Sequence, residues 1–211
     1  MTKLKEYKMF IDGEWLDSES KKKFETLNPE NNEPWAVVPE ASAKDVDKAV
    51  KSAQKAFEGK WPNLFPRERA KYLKAIANQL RENAEFLGKI ETIDTGKLFK
   101  ETKTQANYIA EYYDYYAGLA DKVEGTVLPI DKANMQVITT RVPIGVVAAI
   151  VPWNSQMLLT AVKLAPALAM GNTIVIKSSE LAPATLFEFA KLIEKTGIPK
   201  GVVNIVSGFG E

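Results

Sequence analysis

The 211-residue chain contains no cysteine and no histidine. Absent cysteine excludes disulfides, thiolate nucleophiles and zinc–sulfur sites among these residues. Absent histidine removes the commonest general base and metal ligand. Chemistry performed by these residues must therefore run on Asp, Glu, Lys, Asn, Ser, Thr, Tyr and backbone groups. An excess of either charge is also missing. Lys plus Arg total 28 against 27 Asp plus Glu, a net charge of +1, so nothing marks the chain for nucleic acid or an anionic membrane. The longest apolar run, Val142 to Trp153, is broken by Pro143 and Gly145 and falls short of the roughly 20 residues of a membrane span. The opening stretch, Met1 to Glu6, lacks the apolar core of a signal peptide. A cytoplasmic protein is the expectation.

What is present is concentrated in residues 144 to 180. Val146 to Val151 and Thr173 to Ile176 are short, smooth runs of β-branched and small apolar residues, the pattern of parallel strands covered on both faces. Met157 to Met170 between them has the length of a crossover helix, ended by Gly171. Ligands of such units bind at the carboxyl ends of the strands. Those ends carry Pro152-Trp153-Asn154 and Lys177-Ser178-Ser179-Glu180. A helix over Thr185 to Lys195 and a strand over Val202 to Val206 complete a βαβαβ pattern.

The preceding residues read as hairpins and helices. Asp12-Gly13, between apolar residues, is a strong hairpin signal, and a second extended pair flanks Asn28 to Pro34. Ser42 caps a helix to about Phe57, with Asp45 at the position that favours a carboxylate. Pro66 opens a helix whose Leu73, Ile76, Ala77, Leu80, Ala84 and Leu87 share one face. Another helix stops near Asp94-Thr95-Gly96. A long one from Phe99 to Asp121 carries Tyr108, Tyr112, Tyr115, Tyr116 and Leu119 on a stripe suited to core or interface packing. Gly125 to Val142 alternates apolar and polar residues around Asp131 to Asn134, as an antiparallel hairpin does. A doubly wound sheet of three strands would leave an open edge, so a chain stopping at Gly208-Phe209-Gly210-Glu211 reads as unfinished.

Each candidate site residue has two readings. The Asn154 amide either donates to an oxygen that becomes negative during carbonyl chemistry or caps the following helix. Lys163, alone in an apolar helix, either snorkels to the surface or has a partner near a site. Lys177 and Glu180 either meet ribose hydroxyls, with Glu180 repelling a 2′-phosphate, or form a solvated pair. Gly208-Phe209-Gly210 begins a G-x-G-x-x-G, but after the third strand rather than the first.

Together the stretches Phe10 to Trp15, Asn28-Pro29, Ile93 to Lys97, Pro143 to Val146, Pro152 to Asn154, Lys163 to Ala169, Gly171-Asn172, Lys177 to Glu180 and Gly201 to Asn204 resemble the aldehyde dehydrogenase superfamily. The amino-terminal half is similar to its betaine-aldehyde and related broad-specificity branches. The resemblance implies an α/β fold, the N-terminal half of a Rossmann-like cofactor domain. Residues 1–124 would be hairpins and helices packing on that domain, 125–143 an oligomerisation-type hairpin and 144–211 the first βαβαβ part.

It also implies NAD-dependent oxidation of a small-molecule aldehyde to a carboxylic acid in a full-length homo-oligomer, a dimer or tetramer. By position, Asn154 would stabilise the oxyanion and Lys163 would sit beside the catalytic centre. Val151, Pro152 and Trp153 would line the cofactor, Lys177, Ser178, Ser179 and Glu180 would hold the adenosine ribose, and Gly210 would approach it closely. NADP is disfavoured by Glu180. Leu27, Asp94 and Leu181 match positions that bind a monovalent cation in some members.

Ser155 and Gln156 stand where the family usually has an aromatic residue and proline, which implies a wider or more polar aldehyde tunnel. Ser178 stands where proline is common. Family chains are more than twice as long, and their nucleophilic cysteine and glutamate base have no counterpart here, so the chain by itself is expected to be inactive. The competing expectation is a short non-catalytic protein that binds a nucleotide or pairs with dehydrogenase subunits.

Overall fold

Residues 4–210 are described by a computed structural model. Met1, Thr2 and Lys3 of the opening stretch, and Glu211 of the closing one, lie outside the described residues. Strand β1 (Lys5–Glu6) is followed by the hairpin β2 (Met9–Ile11) and β3 (Glu14–Leu16). Asp12 and Gly13 join its strands with φ of 56° and 70°, the left-handed pair of a type I′ turn. Strands β4 (Lys23–Asn28) and β5 (Glu33–Pro39) pair antiparallel, and β1 adds to the other side of β5.

Helix α1 (Ala43–Glu58) starts where the Ser42 backbone N–H and hydroxyl both donate to Asp45 Oδ2, each at 2.7 Å. Helices α2 (Pro66–Glu82), α3 (Ala84–Thr95) and α4 (Phe99–Leu119) follow. The six apolar residues expected on one face are all buried, Ala84 and Leu87 falling on α3. The small hairpin β6 (Thr126–Leu128) and β7 (Val137–Thr139) lies within the expected span. The remainder alternates as expected: β8 (Val146–Ile150), α5 (Gln156–Ala169), β9 (Thr173–Lys177), α6 (Ala184–Lys195) and β10 (Val203–Val206). Among the described residues no helix is long and apolar enough to cross a membrane.

The main sheet has five strands in the order β3-β2-β10-β9-β8. β8, β9 and β10 run parallel and β2 is antiparallel to β10. The first hairpin thus extends the sheet instead of merely flanking it, and Asn204 Oδ1 accepts the Asp12 N–H at 3.0 Å. Side chains alternate across the sheet with period two. Met9, Ile11, Val175 and Val206 pack against Ala49 and Ala53 of α1, while Phe10, Ile174, Ile176 and Ile205 join the larger core with residues of α5 and α6.

One expectation needs correction. β9 is buried from Thr173 to Ile176, but β8 is not covered on both faces: it has only β9 beside it, and Ile150 is 76 % exposed. The tyrosine stripe of α4 lies at the margin of the buried face, with Tyr112 and Tyr116 packed against the core. Tyr108 and Tyr115 are 56 % and 61 % exposed, and the residues that enter the core are Ala106, Ile109, Ala110, Tyr113 and Ala117. Small residues won that face because α4 lies close against α2 and α3.

The closest part of that approach is at Gly88, where a Cβ would stand 2.8 Å from the Lys103 backbone nitrogen and 2.9 Å from its Cα. Thr102 Oγ1 donates to the Gly88 carbonyl at 2.9 Å across the same crossing. Overpacking of this kind costs about 1–3 kcal/mol. Gly88→Ala is therefore expected to lower the thermal unfolding midpoint by several degrees, and an unchanged circular-dichroism melt would show that the two helices can part at no cost.

Candidate functional site

The parallel register sets Ile150 opposite Lys177, so the loops after β8 and β9 emerge at the same end of the sheet. The Val151 N–H donates to the Lys177 carbonyl at 3.1 Å and adds one more rung to the ladder. Beyond it Pro152, Trp153 and Asn154 are exposed, and Trp153–Ser155 forms a single 3-10 turn into α5. Ser155, not Asn154, occupies the N-cap position of α5. The cap reading of Asn154 is thereby overturned. Its amide makes no hydrogen bond within the described residues, so both of its N–H groups are free to donate outward.

The two residues that depart from the usual family pattern are turned inward. Ser155 is 6 % exposed, and its Oγ accepts from the Lys97 ammonium and, at 3.4 Å, from Gln105 Nε2. Gln156 is fully buried and donates to the Ala182 carbonyl, while its Oε1 has no partner among the described residues. These side chains tie the turn to the α3–α4 loop on one side and to the β9–α6 loop on the other. Lys163 is half-buried and its ammonium donates to the Leu159 carbonyl of its own helix at 3.2 Å, with no carboxylate paired to it among the described residues.

At the end of β9, Lys177 Nζ and Glu180 Oε2 form an ion pair of 2.7 Å. The Lys177 hydrogen bond is the main reason that the Glu180 carboxyl is held below the usual range. Ser179 Oγ accepts the Leu181 N–H at 3.2 Å, while the buried Ser178 Oγ has no partner. A groove of about 530 Å³ opens here, lined by Val46 and Val50 of α1, Ile150, Lys177, Phe209 and Gly210. A Cβ built on Gly210 would meet no protein atom within 4 Å. The groove is an apolar surface with the Lys177 ammonium, paired to Glu180, at its edge, which is complementary to a flat apolar ring with polar substituents. A second groove, about 670 Å³ with Leu98, Thr104, Gln105, Tyr108 and Leu158 in its wall, shares Gln105 with the Ser155 cluster.

Leu27, Asp94 and Leu181 come from three elements whose neighbourhoods meet at the Asp94 carboxylate. Its Oδ1 accepts from Thr26 Oγ1 at 3.3 Å, and its Oδ2 accepts the Thr185 N–H and hydroxyl at 3.0 and 3.1 Å. No group of three or more His, Cys, Asp or Glu among the described residues could hold a metal ion.

Sequence reasoning missed Lys97, Gln105 and Glu91. Lys97 ends a stretch used only for resemblance, and nothing in spacing reveals that it reaches Ser155. Glu91 is fully buried, with neither carboxylate oxygen hydrogen-bonded. Burial pushes its carboxyl up to about 7, against the opposing pull of the Lys97 charge. Burial likewise raises Asp94 to about 6, outweighing its hydrogen bonds from Thr185 and Thr26.

Comparison with known proteins places this geometry. The model of the aldehyde dehydrogenase family matches residues 15–211. The chain is 49 % identical over 208 residues to a (Z)-2-((N-methylformamido)methylene)-5-hydroxybutyrolactone dehydrogenase of Acinetobacter baylyi, covering 98 % of this chain and 42 % of that one. It is 44 % identical to the betaine aldehyde dehydrogenase of Bacillus subtilis, covering 96 % and 41 %. It superposes on the crystal structure of betaine aldehyde dehydrogenase from Staphylococcus aureus in complex with NAD+ with a TM-score of 0.93 at 37 % identity, covering 96 % and 41 %. An NAD-dependent aldehyde dehydrogenase from Sinorhizobium meliloti gives 0.94 at 33 % identity, covering 99 % and 42 %. The chain spans about two fifths of the length of the relatives it matches.

The raised carboxyls make a pH prediction. In the folded state Glu91 and Asp94 favour the protonated form, so their contribution to stability is present in full below the unfolded values of 4.5 and 3.8 and is lost as pH rises through about 7 and 6. The thermal midpoint should be higher near pH 5 than near pH 8. Glu91→Gln should remove much of that slope, a share on the order of 3 kcal/mol. An identical slope in the variant would mean that Glu91 ionises without cost.

Proposed function

The chain belongs to the aldehyde dehydrogenase family, and on that footing we propose that it is the amino-terminal portion of an NAD-dependent enzyme that oxidises an aldehyde to a carboxylic acid. The observation that carries the reading is the exposed Asn154 amide with unspent donors, at the same end of the sheet as the Lys177–Glu180 pair. Aldehyde oxidation develops negative charge on the carbonyl oxygen, and a fixed amide donor lowers the energy of that state more than that of the neutral aldehyde. Lys163 stands about two helical turns along α5 from that turn and is assigned a supporting place beside the reacting centre.

Val151, Pro152 and Trp153 form the wall along which the cofactor would lie. Lys177, Ser178, Ser179 and Glu180 would hold its adenosine ribose, with Gly210 leaving room for the approach. NAD, when bound, supplies the hydride acceptor. The ionised Glu180 carboxylate accepts ribose hydroxyls and repels a 2′-phosphate, which favours NAD over NADP. With no cysteine among these residues, a thiolate step requires a cysteine from outside them.

The reading extends to three further points. Main-chain oxygens near Leu27, Asp94 and Leu181 would hold a monovalent cation. The exposed apolar residues Val127, Leu128 and Ile138 of the β6–β7 hairpin suit it to a homo-oligomer contact, as part of a 125–143 segment between residues 1–124 and the cofactor-binding 144–211. A cytoplasmic location accords with the absence of any membrane-crossing helix among the described residues.

The enzyme bearing the complete family sequence should form NADH from an aldehyde, and Asn154→Ala should reduce its turnover by roughly 10²–10³. Full turnover in that variant would remove the oxyanion assignment. Glu180→Gln should narrow the preference for NAD over NADP, read as dissociation constants by calorimetry. Equal binding of the two cofactors before the substitution would overturn the ribose assignment.

A further inference from the structure

The turn that carries Asn154 has one inward side-chain anchor towards the helices α3 and α4. Pro152, Trp153 and Asn154 are exposed and their side chains make no hydrogen bond within the described residues. Ser155 alone in the turn is buried, and its hydroxyl accepts from Lys97 and Gln105. A serine is too small to wedge a turn by packing, as the aromatic residue usual at this position would. Hydrogen bonds must do what shape otherwise does.

Lys97 is well placed for it. It follows Gly96, whose φ of +75° ends α3 and swings the chain towards the turn. The Lys97 side chain is half-buried, and its ammonium donates to Ser155 Oγ across the gap between the α3–α4 loop and the turn. Bonds from a charged donor are roughly twice as strong as neutral ones.

We propose that Lys97 is a positioning residue of the aldehyde site: its ammonium, assisted by Gln105, holds Ser155 Oγ and thereby fixes the Trp153–Ser155 turn and the direction of the Asn154 amide. This rests on the reading of Asn154 as oxyanion donor, and it adds the residue that aims it. Substituents at position 155 act through the same latch, so a larger residue there would displace the ammonium and not simply narrow a tunnel.

Hydrogen–deuterium exchange on this chain tests the latch without requiring turnover. Lys97→Met and Ser155→Ala should each raise exchange of the amides from 153 to 157 roughly tenfold, the factor expected for losing one charge-assisted hydrogen bond, while β9 keeps its protection. The double variant should add little to either single one, because both remove one interaction. Lys97→Arg, which still donates, should retain most of the protection. Unchanged exchange in both single variants, or fully additive effects, would overturn the latch.

In the complete enzyme, Lys97→Met should lower kcat severalfold while leaving the KM for NAD unchanged, and it should cause no further loss in an Asn154→Ala background. A kcat unaffected by Lys97→Met while Asn154→Ala is impaired would defeat the positioning role alone. Normal turnover in Asn154→Ala would instead defeat the oxyanion reading, leaving the exchange result to decide the latch.

Discussion

Parallel pairing of β8 with β9 is the constraint on which the candidate site depends. The register that sets Ile150 against Lys177 also sets Val146 against Thr173, and both ends of this pairing are pinned. At the far end Asn172 Oδ1 accepts the backbone N–H groups of Ile144 and Gly145 at 2.7 and 3.1 Å. The Asn172 carbonyl in turn accepts the indole N–H of the buried Trp61 at 2.8 Å. A slip of one residue would turn every β9 side chain to the opposite face. It would also part the two loops by a strand step, and a site built from both of them would no longer close on one ligand.

Much of this was legible in the sequence, for physical reasons that differ from element to element. Short β-branched runs separated by a Gly-terminated helix mark a parallel unit because a crossover leaves few other options. Asp12-Gly13 marks a hairpin because only left-handed dihedrals fit so tight a turn. The partner of that hairpin was not legible, since a strand's own residues do not state which edge it joins. β8 reads as covered because burial of a strand's faces depends on the helices packed over them, and on one face α1 leaves Ile150 on an open groove.

The tyrosines of α4 mislead in a related way. Spacing identifies a stripe, but two helices that approach closely select small residues such as Ala106 and Ala110 for the contact. Tyr108 and Tyr115 are left at the margin, while Tyr113 enters the core. In the candidate site, residue types announced Asn154, Lys177 and Glu180. Lys97, Gln105 and Glu91 are joined only by the fold, and unsatisfied or charge-assisted bonds in an interior are visible only once the interior exists. The Glu91 carboxylate is the most costly example, a buried acid with no donor of its own.

The first hairpin has a consequence in time. Asp12 and Asn204, which share a hydrogen bond, lie 192 positions apart, and β10 is the strand that joins β2 and β3 to the parallel part of the main sheet. Ribosomes add about 5–20 residues per second, so β2 must wait on the order of ten seconds or more after its own synthesis for the strand it pairs with. Throughout that interval Met9, Phe10 and Ile11, all buried in the finished fold, remain without their core. Long-range pairing of this kind also slows refolding of the finished chain. β2 therefore reaches its place in the sheet only after β10 has been made.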